Sequence, residues 1–357
     1  MSLNTQFYPL TVAAVTPDTD DSVCVTFRLP DELKTIFAFT QGQHLTLRKS
    51  LDGEELRRNY SLCSTVGGTL TVAIRRVADG RFSSWANEQL KPGDILDVMP
   101  PQGRFFTELS EQQRKTYLAL AAGSGITPIA SLIATTLATE PESQFTLVYG
   151  NRRTDTIMLR QQLEHLKNRY PDRLQLIHIL SREARDVDLL NGRIDQKKLA
   201  ELAEKLLDLN HTDEVFLCGP EAMILDLRQW LQSNGGLAQE QIHIELFGTE
   251  NAKTRTEIPL DAGPTRQVSI ISDRRRIELE IPSQGQSILD AALAAGADLP
   301  FACKGGVCCT CRAKVIEGEV SMDVNYALEP NEIEAGFVLT CQAHPITDKV
   351  VVDFDHI

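Results

Sequence analysis

The stretch Phe301–Cys311, FACKGGVCCTC, decides how this chain is read. It sets thiols at Cys303, Cys308 and Cys311, a C-x4-C-x2-C spacing, and a fourth thiol, Cys341, follows in VLTCQA after one intervening segment. Four thiolates are what two sulfide-bridged irons require, and this is the spacing of a [2Fe–2S] loop. Gly305 and Gly306 let the backbone wrap closely round inorganic sulfur. A structural zinc site is the competing reading. Zinc ligands usually come as two short Cys/His pairs, whereas here three thiols share one loop and one is distant. Cys309 interrupts the pattern and is expected to be a non-ligand, able to slip into the place of Cys308.

Around this loop the chain reads as a small α/β unit over residues 267–357. QVSIIS and RIELEIP form a hairpin-like pair joined through Asp273–Arg275, a helix covers about Ser287–Ala295, and VVVDF closes the sheet. Residues 267–357 hold 14 Asp or Glu against 7 Lys or Arg, so 7 − 14 = −7 of the net −13 lies in the last quarter. Such an excess fits a partner with a basic docking face, found by long-range steering. It equally fits an acidic surface kept for solubility. It argues against a nucleic-acid groove. Upstream, residues 248–266 are polar, aperiodic and broken by Gly and Pro, and read as a linker.

At 357 residues the chain exceeds one comfortable core, so two to three domains are expected. No basic-then-apolar leader opens it and no run approaches a membrane span. Cys24, Cys63, Cys218 and Cys309 show no disulfide spacing, and free thiols beside an oxygen-sensitive cluster fit the cytoplasm.

Residues 1–110 carry short alternating runs, LTVAAV, SVCVTFRL, HLTLRKS, RRNYSL, TLTVAIRRV and DILDVMP, separated by turn residues. That pattern is an antiparallel β-barrel, crossed by one helix around Phe82–Leu90. A flavin needs an aromatic face, a donor near N5 and positive charge at its phosphates. Tyr60, Ser61 and Arg58 of RNYS supply these residue types, and Gly80, Arg81, Phe82 and Ser83 open a helix whose N–H groups suit a pyrophosphate. Taken singly, RNYS is more often just a half-buried strand.

Over residues 111–247 the pattern changes to apolar runs, TYLALAAG, QFTLVYG, RLQLIHILS and EVFLCG, alternating with helical stretches such as Ile157–Tyr170 and Gln196–Leu209. Alternating β and α of this kind makes a doubly wound parallel sheet. Gly123 and Gly125 of GSGITP permit a tight turn near a pyrophosphate, and Pro128 suits a first helical turn. Cys218-Gly219-Pro220 makes a second turn at a strand end, where open α/β sheets bind ligands. Each is also an ordinary structural turn. No cross-domain repeat, hydrolytic triad, Walker loop or Glu-x-x-His pair is present, and the seven histidines are scattered.

With RNYS, GRFS, GSGITP and Cys-Gly-Pro in this order, the chain resembles the ferredoxin–NADP⁺ reductase superfamily. The resemblance implies that Tyr60 stacks on the isoalloxazine, that Ser61 bonds near N5, and that Arg58 and Ser83 hold the phosphates of FAD. It implies that Thr127 and Cys218 lie by the nicotinamide, and more loosely that Glu245 and Phe247 of ELF approach the flavin; Phe247 equally suits core. Ser181 and Arg182 match the pair that holds the 2′-phosphate in NADP-specific relatives, and Arg152 or Arg153, after YGN, adds charge, so NADPH is expected. Solvated arginines and NADH remain the alternative. The C-terminal quarter resembles the β-grasp of plant-type ferredoxins.

Layouts of this kind resemble the reductases of multicomponent oxygenases, most of all those serving ring 1,2-epoxidation of phenylacetyl-CoA in aerobic phenylacetate degradation. On that resemblance electrons run from NADPH to FAD to [2Fe–2S] to a di-iron oxygenase, and this chain binds no acyl-CoA itself. Ser61, Cys218 and Glu245 are then the residues nearest the hydride. Two other readings stand: a reductase for a Rieske or different di-iron oxygenase using NADH, and a redox sensor.

Overall fold

The computed structural model describes residues 5–247 and 262–356. The six alternating runs become β1 (Tyr8–Thr19), β2 (Ser22–Arg28), β3 (His44–Leu51), β4 (Glu54–Ser61), β5 (Leu70–Arg75) and β6 (Ile95–Gln102). They form one antiparallel sheet in the order β4-β3-β6-β1-β2-β5. Period-two patterning turns Val23, Val25 and Phe27 of β2 inward with Leu45 and Leu47 of β3. A bridge between Leu62, just past β4, and Val72 of β5 brings the two edges together and curls the sheet into a barrel. The expected crossing helix is α1 (Arg81–Glu88), which lays Phe82 and Ala86 into the barrel core.

The middle of the chain runs β7 (Thr116–Ala122), α2 (Ile126–Thr139), β8 (Gln144–Asn151), α3 (Arg160–Arg169), β9 (Leu174–Leu180), α4 (Gln196–Lys205), β10 (Glu214–Cys218), α5 (Glu221–Ser233) and β11 (Ile242–Glu245). All five strands are parallel, in the order β11-β10-β7-β8-β9. The order reverses at β7, so a crevice opens between the ends of β7 and β10. Nearly every residue of α2 is buried. One side packs on the sheet and the other on the barrel, where Ser131 donates to the Ser64 carbonyl at 2.7 Å and Thr135 accepts from the Val66 N–H at 3.2 Å. Asp18 of β1 adds a strut: its two oxygens each accept from the Leu159 N–H, which opens α3, at 3.0 Å. Barrel and nucleotide fold therefore form a single compact unit, Phe7–Leu246, built round two cores.

The remaining described residues make a second unit with its own core. It contains β12 (Ala262–Ser272), β13 (Arg275–Gln284), α6 (Ile288–Ala294), β14 (Arg312–Glu317), β15 (Val320–Met322), α7 (Pro330–Glu334), β16 (Phe337–Leu339), β17 (Ala343–Pro345) and β18 (Lys349–Asp353). The main sheet has the order β13-β12-β18-β14-β16, with β12 and β18 parallel, and β15 pairs with β17 beside it. Three details differ from the sequence reading. VVVDF sits as β18 in the middle of the sheet, paired on both sides, because Val350, Val351 and Val352 are all buried. The hairpin turn is only Asp273–Arg274, both at positive φ, while Arg275 already pairs with Ser272. Residues 262–266, read as linker for their Gly and Pro, are strand; Gly263 and Pro264 cause only a register irregularity before Thr265. The rest of that linker, 248–261, lies outside the described residues. Among the described residues, no helix is long and apolar enough to cross a membrane.

Candidate functional site

Two constellations stand out, one in each unit. In the first, β4 delivers Ser61 to the end of the barrel facing the nucleotide fold. Ser61 Oγ lies 3.4 Å from Oε2 of Glu245, a residue 184 positions away at the end of β11. The parallel β10–β11 register pairs Glu245 with Cys218, whose thiol is fully buried. Burial pushes the Glu245 carboxyl up to about 8, and the Ser61 hydrogen bond only partly opposes this. Burial also raises the Cys218 thiol, helped by the nearby Glu245 carboxyl. A fourth member was not singled out in the sequence. His44 pairs with Ser61 across the β3–β4 ladder and places Nδ1 3.9 Å from Glu245 Oε1. Burial lowers His44 to about 4, and its Nε2 is buried without a hydrogen-bond partner. Its only sequence signal was a histidine at the start of an apolar strand.

The two glycine turns meet at the crevice. A Cβ added to Gly125 would lie 2.1 Å from the Cys218 carbonyl oxygen, so only glycine lets the GSG turn close on the Cys218-Gly219-Pro220 turn. Thr127 Oγ1 donates to the Ser124 carbonyl at 3.1 Å, and Pro128 is buried in the first turn of α2. Behind the turn, the buried Tyr149 hydroxyl donates to the Gly123 carbonyl at 2.9 Å. Arg75, held by Asp21 at 2.9 Å, brings Nη1 beside Gly123 from the barrel side. It places a cation beside the GSG turn.

On the flavin side, the Tyr60 ring lies 5.7 Å from Phe82, tilted by 36°. Phe82 is a core residue that backs Tyr60. Gly80 caps α1, and Ser83 Oγ accepts from the Val77 N–H at 3.1 Å and donates to the Gly80 carbonyl at 3.0 Å, tying the loop together. The Arg81 guanidinium pairs with Glu54 and donates to the Leu51 carbonyl, so what this segment offers a phosphate is backbone N–H. Arg58 is exposed next to Tyr60 in β4. At the far end of the parallel sheet, the Arg182 N–H donates to the Arg152 carbonyl at 2.8 Å and the Ser181 N–H to Asn151 at 3.0 Å. That brings Arg152 and Arg182 out side by side, both exposed. Glu183 is held by the Thr154 N–H at 2.8 Å and hydroxyl at 2.6 Å. Phe247 groups with the second unit and is 44% exposed.

In the second unit the four predicted thiols come together as two pairs, Cys303 with Cys308 and Cys311 with Cys341, each in hydrogen-bond contact. The partner thiol is the main cause that lowers Cys308, to about 6, and Cys341. Among the described residues no three Cys, His, Asp or Glu side chains converge as one metal ion requires. Two thiols for each of two irons is the arrangement of a [2Fe–2S] centre, and the donors fit that group better than a lone zinc. Positive φ at Lys304, Gly306 and Cys309 bends the loop round the four sulfurs. The Gly305 N–H donates to Cys303 Sγ at 3.3 Å, and the N–H groups of Gly306 and Thr310 reach Cys341 and Cys308. Cys309 Sγ donates instead to the Ala327 carbonyl at 3.1 Å.

Comparison with known proteins gives the same three parts. Residues 9–107 match the oxidoreductase FAD-binding domain, 119–229 the oxidoreductase NAD-binding domain and 270–345 the 2Fe-2S iron-sulfur cluster binding domain. The chain is 49% identical to a subunit of the 1,2-phenylacetyl-CoA epoxidase of Escherichia coli (strain K12), over 98% of each chain. It is 32% identical to the ferredoxin reductase component of 3-ketosteroid-9-alpha-monooxygenase of Rhodococcus rhodochrous, over 97% of this chain and 96% of that one. Among solved structures it shares its fold with phthalate dioxygenase reductase, at TM-score 0.60 and 21% identity, over 97% of this chain and 98% of the other.

Proposed function

The chain belongs to the ferredoxin–NADP⁺ reductase superfamily as a reductase component of multicomponent oxygenases, and from that premise we propose that it carries electrons from NADPH to a di-iron oxygenase. The acceptor in this reading epoxidises the ring of phenylacetyl-CoA, in aerobic phenylacetate degradation, and the near full-length likeness to the Escherichia coli protein supports that choice. When bound, the flavin accepts a hydride and gives up its electrons singly, and the cluster carries one electron at a time.

The chain's own residues position the reactants. Tyr60, stiffened by Phe82, offers a face to the isoalloxazine, and Arg58 with the backbone N–H groups of 80–83 holds the phosphates. The GSG turn and the Cys218–Pro220 turn, locked together through Gly125, receive the nicotinamide half of the dinucleotide. Arg152, Ser181 and Arg182 receive the 2′-phosphate, and Glu183, tied to Thr154, is kept from competing for the ribose. Ser61 Oγ donates to Glu245, so a flavin held against Tyr60 would meet here a hydroxyl backed by a carboxyl able to hold a proton. We place its work in the cytoplasm, where thiols such as Cys24 and Cys63 stay reduced.

The observation that carries the reading is the meeting of Ser61, Cys218 and Glu245 at the barrel–sheet crevice in a chain that also gathers four cluster thiols. Anaerobic NADPH should bleach flavin and iron–sulfur absorption together. The reduced protein should then support epoxide formation by a phenylacetyl-CoA epoxidase complex. Bleaching without epoxide, alongside efficient reduction of a Rieske oxygenase, would move the acceptor to another oxygenase.

A further inference from the structure

We propose that Gln342 sets the reduction potential of the cluster by donating its side-chain amide to the sulfur of Cys341. The residue follows the distant cysteine and is 4% exposed. Its Nε2 lies 3.5 Å from Cys341 Sγ and 2.9 Å from the Lys304 carbonyl, so the two amide hydrogens serve two acceptors. The backbone is fixed on both sides: the Gln342 N–H donates to Leu339 at 2.8 Å, and its carbonyl accepts from Asp323 at 3.0 Å. The second glycine of the loop makes room for it. A Cβ on Gly306 would lie 3.2 Å from Gln342 Cγ and 3.1 Å from Val324 Cγ2. The amide is thus buried, aimed and held before any electron arrives.

The physical consequence follows from charge. Adding an electron to a cluster held by four thiolates makes the sulfurs more negative, so an N–H donor on a ligand sulfur stabilises the reduced state more than the oxidised one. The potential therefore rises. A dipole fixed in a dry site acts without reorganisation, and partners in this outer layer tune a centre as ligands do. The Gly305 N–H plays a similar part at Cys303, where it lies 3.3 Å from Sγ. Gln342 differs in that its amide also pins Lys304, inside the cluster loop itself. A role limited to that pin would affect retention of the cluster and leave its potential alone.

The inference rests on the assignment of the four thiols to a [2Fe–2S] cluster. Iron, sulfide and absorption of the unaltered protein test that assignment before any variant is made. The potential is then read by redox titration of the intact protein, following the electron paramagnetic resonance of the reduced cluster. Gln342→Leu keeps the volume and removes the donor. It should shift the balance between reduced and oxidised cluster toward oxidised by about tenfold, or 59 mV downward for a one-electron couple, with the flavin potentials unchanged. Gln342→Glu replaces the donor by a carboxylate and should lower the midpoint at least as far. A midpoint equal to the unaltered protein's in either variant that carries its full iron overturns the proposal. So does loss of iron from both variants, because the side chain would then serve assembly alone.

Discussion

The proposed cluster loop and the proposed flavin–nicotinamide crevice are built to hold redox groups by opposite means. In the C-terminal unit, three of the four thiols lie within nine residues and the fourth returns on the turn after β16, so one local segment makes most of the proposed site. In the larger unit, Ser61 and Glu245 meet across 184 residues, and His44 reaches the same carboxyl from a third strand. The first site depends on a residue type nothing else replaces. The second depends on a fold that brings common residue types together. Loss of a cysteine should therefore abolish one function outright, whereas losses in the crevice should be graded.

The largest effect tests the first half of that contrast. Cys341→Ser removes one of four thiolates and should lower bound iron and oxygenase-coupled turnover to background. NADPH oxidation with an artificial acceptor that takes electrons from the flavin should persist. If both activities fell together, the two sites would not be separable in this way.

In the crevice, Glu245→Gln keeps the shape of the contact with Ser61 and removes the titrating proton. Flavin reduction measured in a single turnover should slow by about 100-fold. Stability gives an independent reading. The groups facing Glu245 are Ser61 on β4, His44 on β3 and Cys218 on β10. Its folded value of about 8 lies above the ordinary 4.5, so the folded state binds this proton more tightly than the unfolded chain does. The contribution is fully present below pH 4.5 and is lost as pH rises toward 8. Thermal melts of Glu245→Gln should match the unaltered protein near pH 4.5 and exceed it increasingly up to about pH 8, by on the order of 2–4 kcal/mol. A gap that does not vary with pH would count against a buried, proton-holding carboxyl.

The same contrast explains what the sequence disclosed. The cysteine spacing names its chemistry because the ligands must lie a few residues apart on one loop. The buried parallel strands β7 to β10 were legible as apolar runs, since both faces of the sheet are covered. β11 was not, because Ile242–Glu245 is only four residues long and sits at the sheet edge, where only Ile242 is fully buried. Glu245 was found through resemblance rather than pattern. His44 was passed over because its neighbours are supplied by strand pairing and by a residue about 200 positions later, which no local window contains. Gly263 and Pro264 pointed to a linker because breakers also occur where a strand begins with a register irregularity.

Arg182→Ala comes next in size. A dianion loses one charge-assisted partner, so the KM for NADPH should rise roughly 10- to 100-fold while that for NADH changes little. Equal changes for both nucleotides would leave Arg152 and Arg182 as solvated arginines and shift the preference to NADH.

The smallest effect asks how firmly the crevice is built. Tyr149→Phe leaves the ring in the core and deletes the hydroxyl that donates to the Gly123 carbonyl. That carbonyl also accepts from the Ile126 N–H at the start of α2, so it is not stranded. The loss should amount to about 1 kcal/mol. Because Gly123 stands beside Arg75 at the pyrophosphate turn, the loss should appear as a several-fold higher KM for NADPH with kcat nearly unchanged. An unchanged KM would mean that the packing of Gly125 on Cys218 places the turn by itself.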